Sequence, residues 1–161
     1  MNIFFLDRDI ECAARYHSDQ HIVKMPLESA QILCTVVRRY GGEAPYKATH
    51  AKHPSVIWTG DSAPHFAWLC KFGTALCREY SFRYGRRHKC EDVIEQLPRD
   101  LPMPDAGWVD PPQAVPEIYQ GDDVVAAYRA YYRGDKASFA GKGAAKWSRR
   151  DVPPFMTDGK I

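Results

Sequence analysis

The chain opens on a short extended apolar run, Ile3, Phe4, Phe5 and Leu6, and thereafter its apolar positions recur mostly at helical spacing. Asp9 can cap a helix carrying Ile10, Ala13, Ala14, Ile22 and Val23. Pro26 is expected to kink or restart that helix, because its ring removes a backbone donor and crowds the preceding turn. A second stretch with Leu27, Ala30, Ile32, Leu33, Val36 and Val37 runs to Tyr40, where Gly41 and Gly42 end it. Residues 43–60 read as a loop. Asp61 and Ser62 open a long helix with Phe66, Leu69, Phe72, Leu76 and Tyr80 at steps of three and four, stopped by Gly85. A short helix over residues 90–97 follows. Six prolines between residues 98 and 116 then predict an ordered, extended crossover, before a helix from Asp122 and Asp123 to Arg133 and a Gly-, Lys- and aromatic-rich tail. The expected fold is all-α: one mainly helical domain over residues 1–161 with a long Pro-rich crossover.

Composition narrows the class. The 161 residues are 45% hydrophobic, enough for one ordinary core. No apolar run is long enough for a secretory or membrane segment, so a soluble cytoplasmic protein is expected. Five cysteines, an odd number without a CxxC pair, predict free thiols. A net charge of +2 excludes a protein that binds nucleic acid through bulk charge. That average conceals a segregation. Residues 91–123 hold nine acidic and one basic residue, whereas residues 129–150 hold seven basic and one acidic. Residues 38–53 and 78–89 are basic as well, so one polyanion-facing side is expected.

Candidate chemistry centres on His17, His21, Lys24, Glu28 and Gln31. Their spacings of four, three, four and three would place all five on one helix face. Such a polar stripe lines a cleft or is simply the solvent side. In a cleft it joins a carboxylate, two imidazoles and a lysine, the inventory of proton transfer near neutral pH. His17 and His21 also have the spacing of a helical zinc pair, but there is no HExxH pattern and no third ligand, so no metal is assigned. Three further segments could meet nucleic acid: Lys47, His50, Lys52 and His53 in the loop; Arg83, Arg86, Arg87 and Lys89 after the long helix; and Lys142, Lys146, Arg149 and Arg150 around Trp147 in the tail. For each, the alternative is an ordinary solvated or core-packed segment.

The run Asp19-Gln20-His21, with Glu28 seven residues after the histidine, resembles the endonuclease V type pyrimidine-dimer DNA glycosylases, small all-helical phage enzymes. A second stretch, from Pro54 through His65-Phe66 to Glu79 and Gly85, resembles that family's long central helix. The resemblance implies an endonuclease V-like helical fold and places Glu28 at the catalytic glutamate. The family attacks deoxyribose with an α-amino group bared by methionine removal. Here Asn2 is too large for efficient removal, so that nucleophile is expected to be missing unless Met1 itself serves. The family's two arginines near the glutamate fall on Leu27 and Gln31.

The start Asn2-Ile3-Phe4-Phe5-Leu6-Asp7, followed by His17, His21 and Lys24, also resembles phage proteins of thymidine hypermodification, among them amino acid:DNA transferases. This resemblance implies a monomeric phage enzyme acting in the host cytoplasm on double-stranded DNA. It would flip a modified thymine and transfer a free amino acid such as glycine to phosphorylated 5-hydroxymethyluracil, with no other cofactor. Glu28 would serve as base, assisted by His17 or His21; Lys24, with Arg15 or His50, would meet the departing phosphate, and Gln31 and Arg15 would contact substrate. A glycosylase with lyase activity and a non-catalytic DNA-binding protein are the alternatives.

Overall fold

The computed structural model describes residues 1–139, 141 and 143–157, and among these it is mainly helical. Helix α1 (Ile10–Tyr16) starts where the Asp9 side chain accepts from Cys12 N at 2.8 Å. It stops far earlier than Pro26. His17 and Ser18 turn extended, and α2 (Asp19–Arg39) begins. Pro26 lies inside α2 without ending it. Its ring leaves carbonyls of the preceding turn short of donors, and the Val23 carbonyl there accepts from His88 Nε2 at 3.0 Å.

The break at residues 17–18 is held by side chains from distant segments. Arg83 donates to the carbonyls of Arg15 (2.9 Å) and His17 (2.8 Å), and Trp147 Nε1 donates to that of Tyr16 (2.8 Å). Three carbonyls at the end of α1 thereby gain partners. Asp19, in the first turn of α2, accepts from Arg83 and from Ser148.

The segment expected to be a loop contains α3 (Pro54–Asp61). His53 caps it, accepting from Ser55 N, and Pro54 occupies a first-turn position where a missing N–H costs nothing. Helix α4 (Ala63–Tyr84) packs against α1, α2 and α3 and ends at Gly85, whose φ of 68° suits glycine. Helix α5 (Lys89–Glu95) approaches α4 closely at Gly73, where an added Cβ would lie 2.7 Å from Ile94 Cδ1.

The crossover is pinned at several points. Trp58 Nε1 donates to the Val109 carbonyl, Val109 N to His65 Nε2, and Ser62 Oγ to the Gly107 carbonyl. After a 3-10 turn at Glu117–Tyr119 come α6 (Val124–Asp135), a two-stranded antiparallel pair, β1 (Ser138–Phe139) with β2 (Gly143–Ala144), and α7 (Pro154–Thr157). A single buried cluster runs from Ile3 to Phe155. The five cysteines are free, and no described helix is long and apolar enough to cross a membrane.

Candidate functional site

The first six residues thread into the core and fix the position of the chain's first nitrogen. Ile3, Phe4, Phe5 and Leu6 are buried, and the Leu6 carbonyl accepts from Arg129 Nε at 2.8 Å. Asn2 is held at both ends of its amide: Nδ2 donates to the Ala114 carbonyl (3.0 Å) and Oδ1 accepts from the Tyr128 hydroxyl (2.9 Å). The Met1 side chain is only 4% exposed, yet the residue as a whole is half-buried, so its exposed part is backbone. Its nitrogen sits 3.5 Å from Glu28 Oε1.

Glu28 comes from the middle of α2, with its side chain 14% exposed. At about 100° per residue, Val23, Leu27, Gln31, Lys24 and Glu28 follow one another within an arc of about 140° on that helix. Lys24 is exposed and Gln31 half-buried on this face. The loop before α3 lies alongside. Thr35 of α2 and Thr49 are hydrogen-bonded twice, with Thr49 N donating to Thr35 Oγ1 at 3.0 Å. Arg38 fastens the loop again by donating to the carbonyls of Ala44 and Tyr46. His53 sits close enough to feel the Met1 nitrogen: burial, that nitrogen's charge and His50 together hold its imidazole below the ordinary histidine value. Met1, Glu28 and the His50–His53 loop are therefore neighbours, and Lys24 and Gln31 share the arc of α2 that carries Glu28.

Much of the proposed stripe lies elsewhere. His17 and His21 are core residues: the helix break takes His17 out of the α2 register, and His21, in the first turn of α2, packs against Phe4 and Tyr132. His17 Nδ1 donates to the Ala13 carbonyl at 2.6 Å. The Tyr132 hydroxyl accepts from Ser18 N and donates to His21 Nδ1 at 2.6 Å, and His21 stacks on Phe4 at 4.3 Å. Burial drives His17 down to about 3 and His21 to about 2, so both stay neutral and neither faces a substrate. Arg15 stands at a separate cleft of about 110 Å³ with Glu11, Arg78 and Phe82, which shares no lining residue with Glu28's face.

Of the DNA-binding candidates, Arg83 and Trp147 are buried caps of the α1 end rather than surface contacts. Arg150 is bidentate on Glu79, which also accepts from Arg83. Arg87 is neutralised by Glu91, Asp92 and Glu95. Arg149 is exposed, 4.4 Å from the Phe82 ring, and donates to the Phe82 carbonyl. Lys47, Lys52, Lys89 and Lys146 are exposed, as are His50 and Arg86, and none pairs with a carboxylate among the described residues. Lys142 lies outside the described residues.

Sequence reasoning raised Met1 only as a fallback nucleophile, not as the partner of Glu28, and passed over Arg83 as a cap. The signal for the first was available in the buried run after Asn2, which leaves the nitrogen nowhere to wander. Nothing local signalled the second. Among the described residues, no three or more His, Cys, Asp and Glu side chains are grouped to hold a metal ion. Compared with protein-family models, with curated proteins and with solved structures, the chain matches none.

Proposed function

We propose that this protein is a DNA-modifying enzyme with an endonuclease V-like helical fold, which transfers an amino acid, glycine or another small one, to phosphorylated 5-hydroxymethyluracil extruded from duplex DNA. The observation that carries this reading is the 3.5 Å pairing of the Met1 nitrogen with Glu28 at the surface. With Met1 bearing a free α-ammonium, the pair offers one positive and one negative group side by side, the complement of an amino acid zwitterion. The incoming carboxylate would rest on the Met1 ammonium and the incoming amine on Glu28. Glu28 takes a proton from that amine, whose lone pair attacks the 5-methylene carbon. A C–N bond forms as the C–O bond to phosphate breaks, and the phosphate leaves with the bonding electrons toward Lys24. The exposed Lys47, Lys52 and His50 supply phosphate contacts on the same side.

The test is incubation of the protein with DNA containing phosphorylated 5-hydroxymethyluracil and glycine, followed by nucleoside mass spectrometry. A glycine adduct formed by the wild type and lost with Glu28→Gln, while DNA binding persists, is the expected result. Absence of an adduct with every amino acid overturns it.

The same placement of the Met1 nitrogen beside Glu28 supports one second reading, a glycosylase with lyase activity. Here that nitrogen attacks C1′, the base departs, and an imine links protein to sugar. Borohydride would then trap a covalent protein–DNA adduct, and one extra residue ahead of Met1 would abolish it.

A further inference from the structure

Beside the Glu28 face lies a cleft of about 490 Å³ between α2 and the α4–α5 turn. Its α2 wall is Val23 and Leu27, which are 49% and 39% exposed, unusually open for apolar residues on a helix that buries so much of its surface. These two share the arc of about 140° on α2 that also carries Lys24, Gln31 and Glu28. Tyr46 and Tyr80 form the inner lining. Tyr80 is fixed in place: its hydroxyl accepts from Arg86 Nε at 2.8 Å, and its ring meets His88 edge-on at 4.8 Å.

The rim is cationic, and its charges are not equivalent. Arg87 is consumed by three carboxylates. His88 is engaged at both ring nitrogens, donating through Nε2 to the Val23 carbonyl while Nδ1 accepts from Cys90 N. Arg86 and Lys89 remain, both exposed and both without a carboxylate partner among the described residues. An apolar, aromatic-floored slot with two uncompensated cations at its mouth matches a planar ring bearing a phosphate.

We propose that this cleft seats the extruded phosphate-bearing pyrimidine nucleotide, with the ring against Leu27, Val23 and Tyr80 and the bound phosphate between Arg86 and Lys89 until it departs toward Lys24. The proposal rests on the reading of Glu28 as part of a DNA-modifying site. It assigns selection of the modified base to residues on a different wall from the one that carries the chemistry.

The test compares binding of two duplexes, one with a single phosphorylated 5-hydroxymethyluracil and one with thymine in its place, by the full chain and by an Arg86→Ala/Lys89→Ala variant. Both side chains are exposed, and a thermal midpoint close to wild type verifies that the fold is intact. Wild type should prefer the modified duplex by about tenfold or more, the worth of a charge-assisted phosphate contact. The variant should lose that preference and bind the two duplexes alike. Leu27→Asp should also lose the preference. A variant that keeps the preference, or loses affinity for both duplexes equally, overturns the proposal, as does a wild type without preference. Failure of this inference alone leaves glycine adduct formation by the wild type intact. Failure of the underlying function abolishes the adduct whatever the binding shows.

Discussion

His17 and His21 show what a titratable residue becomes when its environment rather than its type decides its role. Both are held neutral by burial, with folded values of about 3 and about 2 against an ordinary 6.5. The unfolded chain therefore binds protons that the folded chain refuses. Stability should be full above about pH 7 and fall as pH drops through the ordinary histidine value, by up to about 1.4 kcal/mol per pH unit for each group. Urea midpoints at pH 7.5, 6 and 5 measure this, and His17→Gln should flatten the decline. A midpoint unchanged down to pH 5 would show that these imidazoles protonate within the fold. The sequence announced a cluster of polar residues at helical spacing but not that Ser18 would break the helix after His17, nor that Phe4 and Tyr132 would cover His21 in the first turn of α2. Lys24, Glu28 and Gln31, all C-terminal to the break, kept the shared face that their spacing predicts.

At the scale of elements, helix positions were largely legible where a cap or glycine stands at the boundary. Asp9 starts α1, Asp123 starts α6 and Gly85 ends α4. What escaped was set by residues remote in sequence. The end of α1 depends on Arg83 and Trp147, and no local pattern links positions 15–17 to positions 83 and 147. The α3 helix was hidden by a proline and two histidines that look like loop residues, although Pro54 and His53 sit where a helix start accepts them. The α4–α5 contact offers a test in which sign matters. An exposed helical glycine replaced by alanine gains up to about 1 kcal/mol. At Gly73 the new methyl would meet Ile94 Cδ1 at 2.7 Å, so Gly73→Ala should instead destabilise by about 1–3 kcal/mol, measured by chemical denaturation. A stabilised variant would mean that α5 yields without cost.

Across the whole molecule, the charge segregation read from the sequence is real but partly cancelled in space. The acidic crossover and its flanks absorb arginines: Asp110 and Asp123 hold Arg8, and Glu91, Asp92 and Glu95 hold Arg87. The cations left uncompensated are fewer than the clusters suggested, and Lys47 and Lys52 of the loop before α3 are among them. If they contact DNA phosphates, the logarithm of affinity should fall linearly with the logarithm of salt concentration. Lys47→Ala/Lys52→Ala should then reduce that slope by about two, one released counterion for each lost contact. Arg87→Ala should leave the slope unchanged, because its charge is already balanced. Equal effects from the two variants would count against a DNA-facing side built on the loop.

The anchoring of Asn2 to Ala114 and Tyr128 has a consequence in time. Asn2 finds its hydrogen-bond partners more than a hundred positions later, and Leu6 must wait for Arg129. Contacts of such long sequence separation form late, since a large loop must close before they repay its entropy. The Met1 nitrogen beside Glu28 is therefore among the last atoms to be placed. A nascent chain that has not yet completed α6 carries Glu28 but no assembled site, which keeps any chemistry at that carboxylate silent until the rest of the fold is in position.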